Sequence, residues 1–295
     1  MIRAPVGDLT YWDGRVSRFR KALEDDLATL RQESKNPTYS PQFWFDHGKF
    51  SLRVMLLRYS RGDAVRDIGQ CFEGLFDAWE LSDRLADEVC AKHSLKTCRD
   101  WTFELSNLNH YNWCFWLVGL GLALDIPDEQ WQRLLDLIGG EGEDELLDRV
   151  IASRQHERRI GAGLLHPQPY ARLLKAIEAP KPDQAALLRE FVEHWYPELA
   201  RKGKDELWWY VYGDPVKHPL EKGSYFGRWC IEAAAAVKAF GLDDSLCLGN
   251  PNYPGDLLRP LEPGTHALPD NTSTEGAVSP GLRNWLHRLF GSGRK

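Results

Sequence analysis

The stretch that decides the fold is residues 225–241, which read YFGRWCIEAAAAVKAFG. This pattern predicts a helix with apolar residues on almost every side, the exceptions being Arg228, Glu232 and Lys238. Such a helix is expected at the centre of a protein, because each of its faces needs an apolar neighbour. Gly241 ends it, since glycine readily adopts the left-handed conformation of a helix C-terminus. A buried Glu232 needs a partner, and we expect an ion pair with Arg228, four residues earlier.

Helical periodicity continues outward from this segment in both directions. Apolar side chains recur every three or four residues, which predicts helices over 9–32, 43–59, 108–124, 127–138, 144–154, 168–178 and 183–195. Asp63 is expected to cap a long helix that runs to about residue 91. The alternation typical of β-hairpins is absent. The sequence therefore predicts an all-α protein built as a two-domain helical bundle.

The predicted domains are residues 1–125 and 126–260, followed by a linker-like tail over 261–295. The tail is rich in Pro, Gly, Ser and Thr, a composition typical of linkers. A short apolar stripe in it predicts a terminal helix, with Leu282, Trp285, Leu286 and Leu289 on one side.

Composition excludes several classes of protein. The chain has 295 residues and a net charge of −6, which argues against direct binding to nucleic acid. No apolar run is long enough to span a membrane, and the N-terminus lacks the pattern of a secretory signal. The six cysteines contain no C-x-x-C pair, which favours a reducing compartment and no disulfides. We therefore expect a cytoplasmic protein that does not bind membranes.

A search for catalytic motifs finds no phosphate-binding loop, dinucleotide fingerprint, zinc-protease motif or nucleophile elbow. We therefore predict that the protein is not an enzyme and has no cofactor. The nearest metal-like spacing is Cys90-x2-His93-x4-Cys98, to which His110 could add a fourth ligand. A helical metal-dependent enzyme or a zinc-stabilised protein is the alternative that this group supports, against buried thiols beside a surface histidine.

Acidic residues are concentrated in two places. On the long helix, Glu73, Asp77 and Glu80 share the side opposite the apolar residues. Between residues 125 and 148, nine acidic residues accompany one basic residue, Arg133. The candidates for partner binding in this second group are Asp128, Glu129, Glu141, Glu143, Asp144, Glu145 and Asp148. Each group is either a solvated surface or a docking site for a basic protein.

Two stretches resemble the PoNi-type family of bacterial immunity proteins. Residues 225–258 contain an aromatic-Gly-x-Trp-x-x-Glu-Ala-Ala-Ala helix, then Gly-Leu-Asp-Asp-Ser and Tyr-Pro-x-Asp-Leu. Residues 56–80 contain Tyr-Ser-Arg-Gly-Asp before a long helix, as in the N-terminal domain of the family. One departure is Phe226, where the family pattern has Tyr. The residues that match the motif, with a structural or an interface role, are Tyr225, Trp229, Glu232, Asp243, Asp244 and Tyr253.

The resemblance implies an all-helical, two-domain cytoplasmic protein that neutralises a cognate nuclease toxin. Toxins of this kind belong to polymorphic systems that include type VI secretion. The resemblance implies that the immunity protein binds the toxin and blocks its active site or DNA-binding surface. Such a role agrees with an acidic chain that has no catalytic motif. The sequence leaves the oligomeric state open, including a homo-oligomer, and does not identify which acidic group contacts the toxin.

Overall fold

The computed structural model describes residues 2–32, 34, 36–94 and 103–259, and within these ranges every long element is an α-helix. The described residues contain ten α-helices: α1 Leu9–Leu30, α2 Ser40–Arg61, α3 Val65–Ile68, α4 Cys71–His93, α5 Leu108–Ala123, α6 Asp128–Ile138, α7 Glu145–Ala152, α8 Pro167–Glu178, α9 Lys181–Glu198 and α10 Ile231–Phe240. The predicted all-α fold class is confirmed.

Helices α5 and α10 pack against each other at the centre. Both are apolar on nearly every side, so each is buried by neighbours all around. Gly119 of α5 allows the close approach, because a Cβ atom there would lie 2.7 Å from Cγ2 of Ile231. The surrounding apolar side chains form one continuous core that contains residues from each of the helices α1 to α10 and from the segments between them, such as Leu207 and Trp209.

The N-terminal half places α2 between α1 and α4. Ser82 of α4 donates a hydrogen bond of 2.7 Å to the carbonyl oxygen of Pro41 at the start of α2. Helix α6 then packs against α4 on the outside of this layer. The acidic residues of α4 therefore lie next to those of α6, which belong to the second acidic group.

The predicted cap at Asp63 is wrong. The Asp63 carboxylate instead accepts hydrogen bonds from Nε of Arg58 at 2.8 Å and from Nε of Arg61 at 2.6 Å. Two helices replace the single long one: α3 is a single turn, and α4 begins at Cys71. Two nearby guanidinium groups bind a carboxylate more strongly than the backbone N–H groups of a helix start, which explains the difference.

The central helix begins later than predicted, at Ile231, and residues 224–230 form an irregular segment. Gly227 has a φ of +104°, which a helix does not permit. The carbonyl oxygen of Phe226 accepts a hydrogen bond of 2.8 Å from the Ser60 hydroxyl, and Trp229 donates one of 2.8 Å to the same hydroxyl. Contacts with α2 therefore hold this segment out of the helix.

Within the described residues, no helix combines the length and apolar character that a membrane crossing requires. The predicted tail over 261–295 and its apolar stripe lie outside the described residues. The division into domains at residues 125 and 126 stays a prediction.

Candidate functional site

Three of the acidic residues predicted on α4 project from the surface. The side chains of Glu73 and Asp77 are 68% and 65% exposed, and that of Glu80 is 33% exposed. They lie one turn apart, because residues three or four positions apart share a face of a helix. Carboxylates at this spacing repel one another, so a cation beside them stabilises the arrangement.

Arg133 of α6 is that cation. Its Nε and Nη2 donate to the two carboxylate oxygens of Glu80 at 2.6 and 3.0 Å, and Nη2 also donates to Asp77 at 2.7 Å. Nη1 lies 4.0 Å from the Glu73 carboxylate, and the guanidinium group lies over the ring of Phe76. The one basic residue of the second acidic group thus joins that group to the first.

Helix α6 extends the carboxylates of α4 into a larger surface. Glu129 and Asp136 are exposed and lie four residues before and three residues after Arg133, on the same side of the helix. Asp128, at the start of α6, is 98% exposed and pairs with Arg154 at 2.7 Å. We call these carboxylates and their central arginine the acidic surface: Glu73, Asp77, Glu80, Asp128, Glu129, Asp136 and Arg133.

The remaining exposed candidates lie around the start of α7, where arginines accompany them. Glu141 accepts a hydrogen bond of 2.8 Å from the backbone N–H of Arg159. Glu145 pairs with Arg149, which also contacts Glu178 at 2.9 Å. Glu143 is exposed. These arginines make the group less negative than its sequence implies.

Two of the candidates are not surface residues, which corrects their placement. Asp144 is fully buried, and its side chain caps α7 by accepting from the backbone N–H of Leu147 at 2.8 Å. Asp148 is 1% exposed and accepts from Nε of Arg158 at 2.7 Å. Acidic residues at a helix start serve as caps, and a buried carboxylate needs such partners, so both carboxylates stabilise the fold.

Most residues of the C-terminal motif form the core. Buried members are Tyr225, Trp229, Glu232, Asp244 and Tyr253. Asp244 accepts a hydrogen bond of 2.5 Å from the Tyr253 hydroxyl and also pairs with Arg259. Asp243 is exposed, and its carboxylate accepts from the backbone N–H of Ser245 at 2.9 Å, which lowers the pKa of Asp243. Five of the six motif residues are therefore buried, and Asp243 is at the surface.

The predicted ion pair between Glu232 and Arg228 is wrong. Oε1 of Glu232 accepts from the Tyr170 hydroxyl at 2.9 Å and from Nε1 of Trp195 at 3.2 Å. Arg228 lies in the irregular segment before α10, and its Nη2 donates to the carbonyl oxygen of Tyr212 instead. Burial of the carboxyl group among neutral partners raises the pKa of Glu232 to about 7.

The structure does not bring the alternative metal ligands, Cys90, His93 and His110, together as a zinc site. Cys90 is disulfide-bonded, which corrects the expectation that the chain has no disulfides, and a disulfide sulfur is not the thiolate that binds zinc. Nδ1 of His110 accepts from the backbone N–H of Glu104 at 3.0 Å. Over the part of the chain that the structure describes, no three His, Cys, Asp or Glu residues are grouped to hold a metal ion. Cys98 lies outside the described residues.

Two family models match most of the chain. The model for the N-terminal part of PoNe immunity proteins (PoNi) matches residues 9–136, and the model for their C-terminal part matches residues 142–257. The chain belongs to the PoNi family. The predicted resemblance is therefore confirmed, and membership of this immunity family implies a cognate toxin as the partner.

A solved structure shares the fold. The chain is 19% identical to protein PA2201 from Pseudomonas aeruginosa, known from a crystal structure, with a TM-score of 0.64. The match covers 87% of this chain and 90% of that one. A search of curated proteins gave no match.

The acidic surface and the C-terminal motif occupy different parts of this PoNi protein. Every carboxylate of the acidic surface lies within residues 9–136, the N-terminal family segment. The motif residues lie within residues 142–257, the C-terminal segment. The motif residues of the C-terminal segment are thus mostly buried, whereas the acidic surface lies in the N-terminal segment.

Proposed function

We propose that this PoNi protein neutralises a cognate nuclease toxin by binding it through the acidic surface of α4 and α6. The acidic side chains lie where DNA phosphates would otherwise contact the toxin, so that bound immunity protein excludes the DNA. The protein acts in the cytoplasm as a stoichiometric inhibitor, without catalysis. The toxin is an effector of the type VI secretion class.

Family membership supports the partner, and the geometry of α4 and α6 supports the surface. Nucleases bind DNA largely through basic side chains that contact phosphates. The acidic surface offers a matching set of charges, fixed in position on two packed helices. Arg133 holds the α4 carboxylates in register, because its guanidinium group contacts three of them at once. A rigid array loses less conformational entropy on binding than free side chains do.

The group at the start of α7 is the weaker candidate. Glu145 and Glu141 already contact Arg149 and Arg159, which reduces the negative potential there. In the acidic surface, Glu129 and Asp136 have no ion pair with any described residue. Such carboxylates are available to a basic partner, which favours α4 and α6 as the docking site.

Binding to the toxin encoded next to this protein tests the proposal. The acidic-surface variant carries Glu73→Lys, Glu129→Lys and Asp136→Lys, which leave the Arg133–Glu80 pair intact. We expect the association rate at low salt to fall by about tenfold or more, because electrostatic steering is lost. The variant should also fail to protect cells that express the toxin.

Two further variants serve as comparisons. Glu193→Lys on α9 is an exposed charge reversal outside both acidic groups and should bind normally. Glu141→Lys with Glu143→Lys and Glu145→Lys tests the group at α7. If only this triple variant weakens binding, the docking site is at α7 and the proposed surface is wrong.

A further inference from the structure

A groove lies between α1 and α4, with α2 as its floor, and we call it the α1–α4 groove. Its volume is about 650 Å³, within the range of about 300–1,000 Å³ that is usual for binding clefts. Its apolar surface comes from Leu23 and Leu27 of α1, Trp44 of α2, and Ala78 and Leu81 of α4. All of these except Ala78 are only partly buried, so the groove leaves apolar surface uncovered.

Gly74 keeps one wall of the groove open. It lies inside α4, it is exposed, and a Cβ atom there would meet nothing within 4 Å. Ala78, one helical turn later, is the other small residue of this wall. Glycine weakens a helix relative to alanine, so the helix itself does not call for Gly74. A small residue here leaves room for another chain to approach α4.

Helix α1 runs antiparallel to α2. Phe19 contacts Phe50, with ring centroids 5.2 Å apart. Further along α1, Oδ2 of Asp26 lies 2.6 Å from Nδ1 of His47, which comes earlier in α2. The end of α1 is therefore next to the beginning of α2.

Helix α4 also runs antiparallel to α2. Trp79 contacts Phe45, with ring centroids 5.7 Å apart. Further along α4, Ser82 donates its hydrogen bond to Pro41, which comes earlier in α2. Because both walls run antiparallel to the same floor, α1 and α4 run in the same direction.

This common direction places like charges of the two walls at the same end of the groove. Glu24 of α1 and Asp77 of α4 line one end. Arg31 and Arg84, each seven residues further along its helix, line the other end, about 10 Å away. All four are exposed, and only Asp77, which contacts Arg133, forms an ion pair with a described residue. The groove is therefore acidic at one end, apolar in the middle and basic at the other end.

A short amphipathic helix matches this pattern. Grooves between helices bind peptide helices through apolar anchors that recur every three or four residues. A helix two turns long would place a basic side chain i at the acidic end, apolar side chains i+3 and i+4 against Leu27 and Leu81, and an acidic side chain i+7 at the basic end. The chain's own segment 282–295 does not match, because it contains four basic residues and no Asp or Glu.

We propose that the α1–α4 groove binds an amphipathic helix of the cognate toxin, with a basic residue at the Glu24–Asp77 end and an acidic residue at the arginine end. This inference rests on the proposed function and adds a second contact to it. Helix α4 forms both a wall of the groove and part of the acidic surface, and Asp77 belongs to both. A toxin bound to the acidic surface therefore lies beside the groove. The acidic surface steers the toxin, and apolar anchors in the groove slow its dissociation.

Gly74→Leu tests the groove by filling it with a side chain that a helix accommodates. The toxin encoded next to this protein should bind this variant at least about tenfold more weakly, mainly through faster dissociation. Its association rate at low salt should stay near that of the wild type, because the acidic surface is unchanged. Gly14→Leu is the matched control, since Gly14 is an exposed glycine of α1 with open space at its Cβ position, outside the groove. It should bind as the wild type does.

Arg31→Glu with Arg84→Glu separates the groove from general electrostatics. If the groove takes no part, two added negative changes should speed association with a basic toxin. The inference requires the opposite result: binding weaker by about tenfold, because the acidic end of the toxin helix meets repulsion. Arg189→Glu with Lys238→Glu makes the same change of charge on exposed residues of α9 and α10 and should not weaken binding.

The variants distinguish failure of this inference from failure of the proposed function. Wild-type affinity in both groove variants would overturn the groove, and loss of binding in the acidic-surface variant would then still support the proposed function. Weak binding by the groove variants alone would support the groove and overturn the acidic surface. A wild-type protein that does not bind the toxin overturns both.

Two further measurements complete the test. Circular dichroism checks the fold, and if Gly74→Leu does not fold, the variant Arg31→Glu with Arg84→Glu decides. Light scattering tests for a second copy of the chain in the groove. A dimer that Gly74→Leu converts into a monomer with unchanged toxin binding would overturn the inference.

Discussion

The Tyr170 hydroxyl donates a hydrogen bond of 2.9 Å to Oε1 of Glu232 and receives one from the side-chain amide of Asn112. Asn112 belongs to α5 in the N-terminal family segment, and Tyr170 and Glu232 belong to the C-terminal segment. A chain of buried polar groups therefore crosses between the two segments at the centre of the core. Buried polar networks of this kind are costly to disrupt, since each freed group loses its partner.

The first prediction concerns the pH dependence of stability. The pKa of Glu232 is raised to about 7, above its value in the unfolded chain, so the folded protein retains a proton that the unfolded chain has lost. The stabilising contribution of the protonated carboxyl group is complete below pH 4.5, falls as the pH rises toward 7, and is absent above that. Over this interval the free energy of unfolding is expected to fall by about 3 kcal/mol.

Urea unfolding of the wild type and of Glu232→Gln between pH 4.5 and 8 measures this contribution. The amide cannot ionise, so the difference in unfolding free energy between the two proteins should change across this interval. A constant difference would mean that Glu232 does not titrate in the folded protein.

The second prediction concerns the buried pair of Asp148 and Arg158. Asp148→Ala leaves the Arg158 charge in the interior without its partner and also removes an acceptor for the backbone N–H of Gly161. We expect a loss of about 3–5 kcal/mol in the free energy of unfolding. Asp136→Ala on the exposed side of α6 is the matched control and should change stability by about 0.5 kcal/mol or less. Equal effects of the two substitutions would contradict the assignment of Asp148 to the fold.

The third prediction compares two glycines. A Cβ atom on Gly227 would lie 2.2 Å from Nε1 of Trp229 and 2.4 Å from Oγ of Ser60, at a φ of +104°. Gly227→Ala should therefore lower the free energy of unfolding by about 2 kcal/mol or more. Gly74 lies inside α4, and a Cβ atom there meets nothing within 4 Å. Gly74→Ala should raise stability by about 0.5–1 kcal/mol, because alanine is the better helix former. Thermal unfolding monitored by circular dichroism gives both values.

The fourth prediction concerns Arg133 and rests on the proposed function. Arg133→Met removes the positive charge from the acidic surface and keeps an apolar side chain over Phe76. The partly exposed ion pairs contribute little, so stability should fall by about 1 kcal/mol or less. The association rate with the toxin should rise and depend more steeply on salt, because the surface becomes more negative. Slower association measured by stopped flow would instead show that Arg133 itself contacts the toxin.

Local patterns account for what the sequence predicted correctly. Helix periodicity depends on neighbours three and four residues away, so the spacing of apolar side chains was sufficient for α1, α2 and α5 to α9 within a few residues. The family followed from residue types at fixed spacing in 225–258 and 56–80. The position of Gly241 at the end of α10 also follows from local geometry, and its φ is +65°.

Predictions that required a choice between competing partners were the ones that failed. Glu232 was assigned to Arg228 because they are four residues apart, yet its donors come from α8 and α9. Asp63 was assigned to a helix start, yet two arginines of the preceding helix bind it. The spacing of residues shows which partners are within reach, but the fold decides which of them binds.

The sequence by itself determined that this protein is helical, that its 225–241 segment is central and that it belongs to an immunity family. Tertiary structure alone decided which acidic residues are available to a partner. Asp144 and Asp148 resemble Glu129 and Asp136 in the sequence, but helix packing buries the first two with donors of their own and leaves the other two exposed around Arg133. The physical reason is that helix periodicity is set by nearest neighbours, whereas burial and charge compensation depend on which helices pack together.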